Sequence, residues 1–227
     1  MTNSLSDKRL LLVGSYPPPF GGVSSLITEL EKGLVDSVEQ FYVLSFRAEN
    51  SVVLKNPNTV IHKLKNRPNT YLFKALATNP IKLVNLIFRY FFCVFNNPRL
   101  FTGSLLNALI TVGVAKRNRS NSITIFTTRA GASIPFIHCL LPNVPIYYCV
   151  FADPYINPSF YKEHRSWYRE AMLKAEKVFS SSKYCAAVTK QFDATIHPEV
   201  IYVGVDTERF HPSTPQVESR RHLGLPV

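Results

Sequence analysis

Short β-rich runs alternate with longer helix-periodic runs along almost the whole chain, and this alternation limits the folds open to it. Strands separated by helices of this length pair in parallel, because each helix carries the chain back along the sheet. We therefore predict an α/β domain with a Rossmann-like, doubly wound parallel sheet and helices on both faces.

The individual elements follow from the same periodicity. Strands are predicted at the apolar, β-branched runs of residues 9–14, 40–46, 59–64, 123–128, 145–151, 177–181 and 200–203. Helices are predicted at residues 23–35, 80–95, 98–116, 131–141, 158–175 and 182–192. Ligands of such sheets bind beyond the carboxyl ends of the strands, so the residues that follow each strand are the first candidates for function.

Composition excludes several other classes of protein. The 227 residues are 46% apolar and 18% charged, a balance that suits a globular core and not a disordered chain. No apolar run approaches the length of a spanning helix, and the run after Arg9 is too short for a signal peptide, so we expect a cytoplasmic protein. Four dispersed cysteines without a C-x-x-C pair read as buried thiols, and they exclude a zinc module or a disulfide scaffold.

The net charge of +11 belongs to one part of the chain. Between Glu49 and Asp153 the sequence has no acidic residue. The cations of that stretch are Lys55, Lys63, Lys65, Arg67, Lys74, Lys82, Arg89, Arg99, Lys116, Arg117, Arg119 and Arg129. Such a surplus implies a polyanionic partner: an anionic membrane surface, a phosphorylated substrate or nucleic acid. We expect no nucleic acid, because no RNP, helix-turn-helix or zinc-finger pattern occurs.

The predicted helix at residues 80–95 has the pattern of a membrane-surface helix. Lys82, Asn85 and Arg89 fall on one narrow polar stripe, and apolar residues fill the rest of its surface. A basic helix with so broad an apolar face suits the interface of an anionic lipid bilayer. The alternative is ordinary packing on the sheet with the cations in solvent.

The loop after the first strand, GSYPPPFGGVSSL, carries the clearest functional pattern. Gly21 and Gly22 stand at the start of the next helix, where glycines let a ligand approach backbone N–H groups. The partial positive charge of a helix N-terminus favours a phosphate there, so Gly21, Gly22 and Val23 are predicted to bind phosphate. The run matches neither the dinucleotide fingerprint nor the Walker motif, and a purely structural turn is the alternative.

Two distant motifs carry a resemblance to a known family. The run LLLVGSYPPPFGGVSSLITELEKGL resembles the opening of glycosyltransferase family four, whose members have the two-domain GT-B fold. Near the other end, VIYVGVDTERFHP followed by RRHLGLP resembles the crossover by which that family leaves its N-terminal domain. Between them, EKVFSSSKYCAAVTKQF is similar to the family's strand, serine and helix before the crossover.

The resemblance implies an organisation and an activity. Residues 1–205 correspond to the acceptor-side domain, and residues 206–227 to the crossover and the beginning of a donor-binding domain that this sequence lacks. The implied activity is transfer of a sugar, with retention, from a nucleotide sugar to a lipid-linked or polysaccharide acceptor, without a metal or another cofactor. We expect the chain to act at the inner membrane surface, with a partner chain as one source of the donor domain. The alternative is a non-catalytic half that binds a membrane and a partner.

Further site residues follow from the strand ends and the resemblance. Asp153 occupies the place near which family members often have a histidine, and it is the candidate catalytic residue, orienting a sugar hydroxyl; a turn residue before proline is the alternative. Arg129, Tyr155 and Lys183 follow other strands and are predicted to bind the acceptor. For Arg129 the alternative is a solvated loop cation.

Three other features are interpreted as structural. His138 is predicted to be a core histidine, because it lies on the apolar face of a helix. The aromatic residues near Trp167 are predicted to pack between helices, with a sugar-binding surface as the alternative. Glu31 and Glu39 have the seven-residue separation of the family's donor-site glutamates, which we interpret as coincidence because they belong to the end of the first helix and the following turn.

Overall fold

The computed structural model describes residues 5–17, 21–45, 59–63, 81, 84, 88, 98–126, 128–150, 158–191, 193–204 and 215–226. Within these ranges the chain forms a single parallel sheet of seven strands in the order β3-β2-β1-β4-β5-β6-β7. The strands are β1 (Arg9–Val13), β2 (Gln40–Ser45), β3 (Thr59–Lys63), β4 (Ser122–Ile125), β5 (Ile146–Val150), β6 (Lys177–Ser180) and β7 (Glu199–Val200). The predicted Rossmann-like α/β fold is confirmed.

Helices cover both faces of this sheet. They are α1 (Gly22–Leu34), α2 (Pro98–Asn118), α3 (Thr128–Gly131), α4 (Ile134–Leu140), α5 (Pro158–Lys174), α6 (Lys183–Lys190) and α7 (Gln216–His222), after a short 3-10 helix at Leu5–Asp7. Strand β1, the third in the strand order, pairs with β2 on one side and with β4 on the other. Its three leucines point to both faces of the sheet. Leu11 packs in one hydrophobic cluster, and Leu10 and Leu12 pack in the other, as expected for a strand covered by helices on both faces.

The larger hydrophobic cluster lies between the sheet and helices α2, α4 and α5. Phe136 of α4 is fully buried at its centre, with its ring centroid 5.5 Å from that of Phe101 and 5.3 Å from that of Trp167. The indole N–H of Trp167 donates a 2.7 Å hydrogen bond to the carbonyl oxygen of Ala132. Trp167 and Tyr168 are both buried, so the predicted helix packing of these two aromatic residues is confirmed.

A smaller cluster lies on the opposite face, beneath α1. Ile27 of α1 packs with Phe41 and Val43 of β2 and with Phe126, which follows β4. The buried positions of α1 are Ser24, Ile27 and Glu31, spaced three and four residues apart as one face of a helix requires. This face therefore buries two polar residues of the helix beside its isoleucine.

The largest differences from the predicted element ends, three residues each, occur in three places. The strand predicted at residues 123–128 ends at Ile125, because Thr128 begins the single turn α3. The helix predicted at residues 131–141 is interrupted at Ala132 and Ser133, and α4 begins with Pro135 in its first turn, a position that proline favours. The last strand consists of Glu199–Val200 and ends before residue 203.

Two parts of the described chain have exposed side chains outside the packed layers. Ile81, Val84 and Phe88 are helical, and their side chains are 76%, 51% and 74% exposed. At the other end, α7 has no buried residue. In the part of the chain that the structure describes, no helix is both long enough and apolar enough to span a bilayer. The predicted boundary between residues 1–205 and 206–227 stays a prediction.

Candidate functional site

The strand order places the candidate site at one point of the sheet. From β1 the chain moves outward through β2 to β3, and it then returns to β4, which lies on the other side of β1. The connections after β1 and β4 therefore start from neighbouring strand ends, and a crevice is expected between connections that diverge in this way. In doubly wound sheets this reversal is where ligands bind.

Gly14, directly after β1, lets α1 begin close to the strand end. A Cβ atom at this position would lie 2.6 Å from the Cδ1 atom of Ile27 and 3.3 Å from the Cγ1 atom of Val23. The backbone N–H of Gly14 donates to the carbonyl oxygen of Leu44, so the residue still belongs to the sheet. Gly14 thus sets the distance between β1 and the helix that bears the predicted phosphate site.

Gly21 takes part in two hydrogen bonds with Ser24 at the start of α1. Gly21 is extended, with φ −174° and ψ 173°. Its N–H donates to the Ser24 hydroxyl oxygen at 2.7 Å, and the Ser24 hydroxyl donates to the Gly21 carbonyl oxygen at 2.9 Å. The Gly21 N–H is therefore already occupied, because Ser24 closes the turn from within the helix.

The next N–H groups are the ones that remain for a ligand. The first residues of a helix have no intrahelical acceptor, and no described residue accepts from the N–H groups of Gly22, Val23 or Ser24. A Cβ atom on Gly21 or Gly22 would meet nothing within 4 Å, and neither glycine has a positive φ. The backbone conformation at these two positions therefore does not require glycine. The lack of a side chain instead leaves the N–H groups of Gly22 and Val23 accessible.

Arg129 lies on the other side of the crevice. Its backbone belongs to α3, directly after β4 and so next to the end of β1, whereas its side chain lies outside the described part of the structure. Two residues later, Gly131 lies against Tyr148 of β5, and a Cβ atom there would overlap the phenol ring. The close fit of Gly131 fixes the path of α3 beneath Arg129.

Lys183 lies at the same edge of the sheet but farther along it. It is the exposed first residue of α6, whose N-cap residue Ser182 accepts a 3.1 Å hydrogen bond from the N–H of Cys185. Three strand spacings separate β6 from β1, or about 14 Å. Asp153 and Tyr155, which follow β5, lie outside the described residues. The structure thus places the Arg129 backbone after the strand next to β1 and Lys183 after a strand three places away from β1.

Sequence reasoning missed a buried polar pair beneath the site. The Tyr16 hydroxyl donates a 2.6 Å hydrogen bond to Oε2 of Glu31, and the Tyr16 N–H donates to the Ser45 hydroxyl oxygen at 3.2 Å. Tyr16 and Glu31 are 3% and 2% exposed. The spacing of Ser24, Ile27 and Glu31 could have indicated this pair. It places Glu31 on the same face of α1 as Ile27, the face that packs against the core.

Other candidate groups lie elsewhere or do different work. His138 is only partly buried, which corrects its prediction as a core histidine; it lines a surface cavity of about 330 Å³ by the amino end of β5, away from the crevice. Glu39 pairs with Arg9, while Glu31 bonds to Tyr16, so the two glutamates serve different contacts, as interpreted.

The described cysteines differ in burial. Cys185 is buried, whereas Cys139 and Cys149 are partly buried. Burial raises the pKa of the Cys149 thiol to about 12, which leaves it protonated at neutral pH.

Comparison with known proteins gives a likeness of fold. No protein-family model matches the chain, and no curated protein matches its sequence. Among solved structures, the N-terminal domain of trehalose-6-phosphate phosphatase from Candida albicans matches with a TM-score of 0.58 at 15% identity, over 98% of this chain and 54% of that one. An α,α-trehalose 6-phosphate synthase from Burkholderia multivorans matches with a TM-score of 0.52 at 14% identity, over 96% and 54%.

A third match holds a ligand. It is an E. coli structure described as trehalose-6-phosphate bound with UDP-2-fluoro glucose, with a TM-score of 0.53 at 13% identity, over 95% of this chain and 54% of that one. The present chain spans about half the length of each of these proteins. At such identities the likeness establishes the fold alone, which is a Rossmann-like domain of the kind found in GT-B glycosyltransferase-like structures.

Proposed function

We propose that this chain is the N-terminal, acceptor-side domain of a retaining, family-four-like glycosyltransferase. It would serve transfer from a nucleotide sugar to a lipid-linked or polysaccharide acceptor at the cytosolic membrane surface. One observation carries the proposal: accessible N–H groups of α1 lie where the strand order reverses, in a fold shared with a structure that holds a UDP-sugar analogue. A diphosphate is the part of a nucleotide sugar that such N–H groups favour.

The residues have distinct roles in this proposal. The N–H groups of Gly22 and Val23 stabilise phosphate charge, helped by the N-terminal end of the α1 dipole. Arg129, Asp153, Tyr155 and Lys183 bind or orient the acceptor, as the strand ends and the family resemblance imply. Most of the nucleotide contacts would come from a second domain, either on a longer form of this chain or on a partner chain.

The first test removes access to the N–H groups without disturbing the fold. Gly22→Val places a side chain in open space, so the free energy of unfolding should change by no more than about 0.5 kcal/mol. Amide chemical shifts of Gly22 and Val23, followed by NMR during titration with inorganic pyrophosphate, should show weak binding, with a Kd on the order of 1 mM. The valine variant should show none.

Gly33→Val is the matched control, because Gly33 is also exposed and a Cβ atom there also meets nothing within 4 Å. It lies near the other end of α1, so it should bind pyrophosphate like the parent. If Gly22→Val binds as the parent does, the Gly21-Gly22 turn is structural and the phosphate site is wrong.

A second candidate function is a non-catalytic half that binds an anionic membrane and a partner chain. The exposed side chains of Ile81, Val84 and Phe88 favour a membrane role in either case. They lie at i, i+3 and i+7, beside the polar stripe of Lys82, Asn85 and Arg89 in the helical pattern of the sequence. An apolar strip bordered by cations is the arrangement that suits an anionic lipid surface.

Liposome sedimentation tests the membrane role. Binding should rise with the fraction of anionic lipid and fall with salt, since each lysine or arginine near the surface contributes about 1 kcal/mol. Phe88→Asp should weaken binding at least about tenfold, because it removes a large apolar side chain from the bilayer interface. Leu223→Asp, at a residue that is 71% exposed on a different element, is the control. Equal binding to neutral and anionic liposomes would contradict this role.

A further inference from the structure

The buried pair of Tyr16 and Glu31 joins three separate elements of the fold. Tyr16 lies in the connection from β1 to α1, two residues after Gly14 and five before Gly21. Its hydroxyl bonds to Glu31 in the third turn of α1, and its N–H bonds to Ser45 at the end of β2. One residue thus ties the connection both to the helix that it precedes and to the neighbouring strand.

The pair is poorly explained as a source of stability. Oε1 of Glu31 is buried, and among the residues that the structure describes none donates a hydrogen bond to it. Ile27 and Val35 of the smaller cluster lie four residues before and after Glu31, and a carboxylate buried on that side of α1 loses hydration that one phenol cannot replace. Apolar residues of similar size would serve packing equally well, since replacing both partners of a buried pair is often neutral or stabilising.

What the pair supplies is direction. A hydrogen bond fixes both the distance and the angle between its groups, whereas apolar contacts permit sliding. Burial and the bond to Glu31 raise the pKa of Tyr16, so the phenol keeps its proton and remains a donor. The bond therefore persists at physiological pH and holds Tyr16 at a defined position along α1.

We propose that Tyr16 and Glu31 are positioning residues for the diphosphate site, and that they hold α1 against the end of β1 so that the N–H groups of Gly22 and Val23 face the reversal point of the sheet. This inference rests on the proposed function and adds residues that touch no substrate. They act through α1, onto which Ser24 closes Gly21. The pair thus exchanges some stability for a fixed anion-binding turn.

The test separates positioning from stability with a double variant. Tyr16→Phe alone leaves the Glu31 carboxylate buried without its donor, so both the unfolding midpoint and pyrophosphate affinity should fall. The double variant Tyr16→Phe/Glu31→Leu removes that carboxylate and should regain the parent's unfolding midpoint. Its pyrophosphate affinity should nevertheless stay about tenfold below that of the parent, as a directional contact has been lost. Tyr184→Phe removes a phenol that is 65% exposed and is the matched control.

A second readout does not depend on any ligand. Hydrogen exchange at the Gly21 N–H, which donates to Ser24, should be about tenfold faster in the double variant than in the parent, because the turn opens more often. If exchange at Gly21 and pyrophosphate affinity both equal those of the parent, the pair serves packing only and the proposal is overturned. If the parent itself fails to bind pyrophosphate, the proposed function is wrong, and the exchange rate still decides whether Tyr16 and Glu31 position the turn.

Discussion

The two faces of the sheet use buried polar groups differently. Beneath α2, α4 and α5, the buried side-chain donors Thr111, Ser133 and Trp167 bond to backbone carbonyl oxygens, those of Asn107, Ala130 and Ala132. Beneath α1, the hydroxyl of Tyr16 bonds instead to the side chain of Glu31, in a different element. A donor that ends on a backbone carbonyl adds little constraint beyond packing, whereas a bond between two buried side chains fixes the relative placement of the elements that carry them. We infer that the larger face provides stability and the α1 face provides the geometry of the site.

Among the variants that test this comparison, Gly131→Ala should change the free energy of unfolding most. The new methyl group would overlap the ring of Tyr148, which is 1% exposed and has no room to move. We expect the free energy of unfolding to fall by about 3 kcal/mol, the upper part of the range for overpacked cores. Chemical denaturation measures it.

Gly103→Ala is the control for that substitution. Gly103 lies within α2, where a Cβ atom would meet nothing within 4 Å, so alanine should stabilise the chain by about 0.5–1 kcal/mol. Equal unfolding free energies for the Gly131 variant and the parent would show that the larger face is loosely packed.

Gly14→Ala should have a smaller effect on stability and a larger one on the site. The nearest atom to the added Cβ is the end of the Ile27 side chain, which can turn aside, so we expect a loss of about 1 kcal/mol. Because the added methyl group also lies 3.3 Å from the Val23 side chain in the first turn of α1, we expect the start of the helix to shift slightly and pyrophosphate affinity to fall several-fold in the NMR titration. Unchanged affinity would mean that the distance between β1 and α1 does not control the anion site.

The smallest effect should appear in the pH dependence of stability. Two hydrogen bonds from Thr195, with further help from Arg169, lower the pKa of Asp193 to about 2. A carboxyl group with a lowered pKa stabilises the fold above its unfolded pKa near 4, and this contribution is lost as the pH falls through about 2. The melting temperature of the parent should therefore fall between pH 4 and pH 2.

Two variants check the origin of that pH dependence. Asp193→Asn should reduce the fall in melting temperature between pH 4 and pH 2, because position 193 then has no carboxyl group to titrate. Thr195→Val removes the hydroxyl bond and keeps the bond from the backbone N–H, so its dependence should be intermediate. If Asp193→Asn has the same pH profile as the parent, another group controls the acid transition.

Most of the fold could be predicted from the sequence, because strands and helices differ in the periodic spacing of their apolar residues. All seven strands lie where β-branched runs predicted them, and α1 begins within one residue of its predicted start. The errors are at ends set by tertiary contacts. Thr128 continues a β-rich run in sequence, yet the close fit of Gly131 against Tyr148 accompanies a helical turn at that point.

The sequence predicted only those features of the candidate site that depend on neighbouring residues along the chain. The Gly21-Gly22 turn follows from two glycines before a helix, and its exposure agrees with that pattern. The bond from Tyr16 to Glu31 spans fifteen residues, and a tyrosine in a proline-rich loop gives no sign of its partner. The occupation of the Gly21 N–H by Ser24 was likewise hidden, since serine in a first turn is common without such a bond.

The position of β1 has a consequence for synthesis of the chain. Its residues pair with β2 soon after both are made, but its other edge waits for Ser122–Ile125. At ribosomal rates of about 5–20 residues per second, the intervening stretch of about a hundred residues takes on the order of 10 s to emerge. During that interval a leucine-rich strand edge is open to other nascent chains, which makes early folding the stage most exposed to aggregation. A chaperone that shields β1 until β4 arrives would raise the yield of folded protein more than one that acts after release.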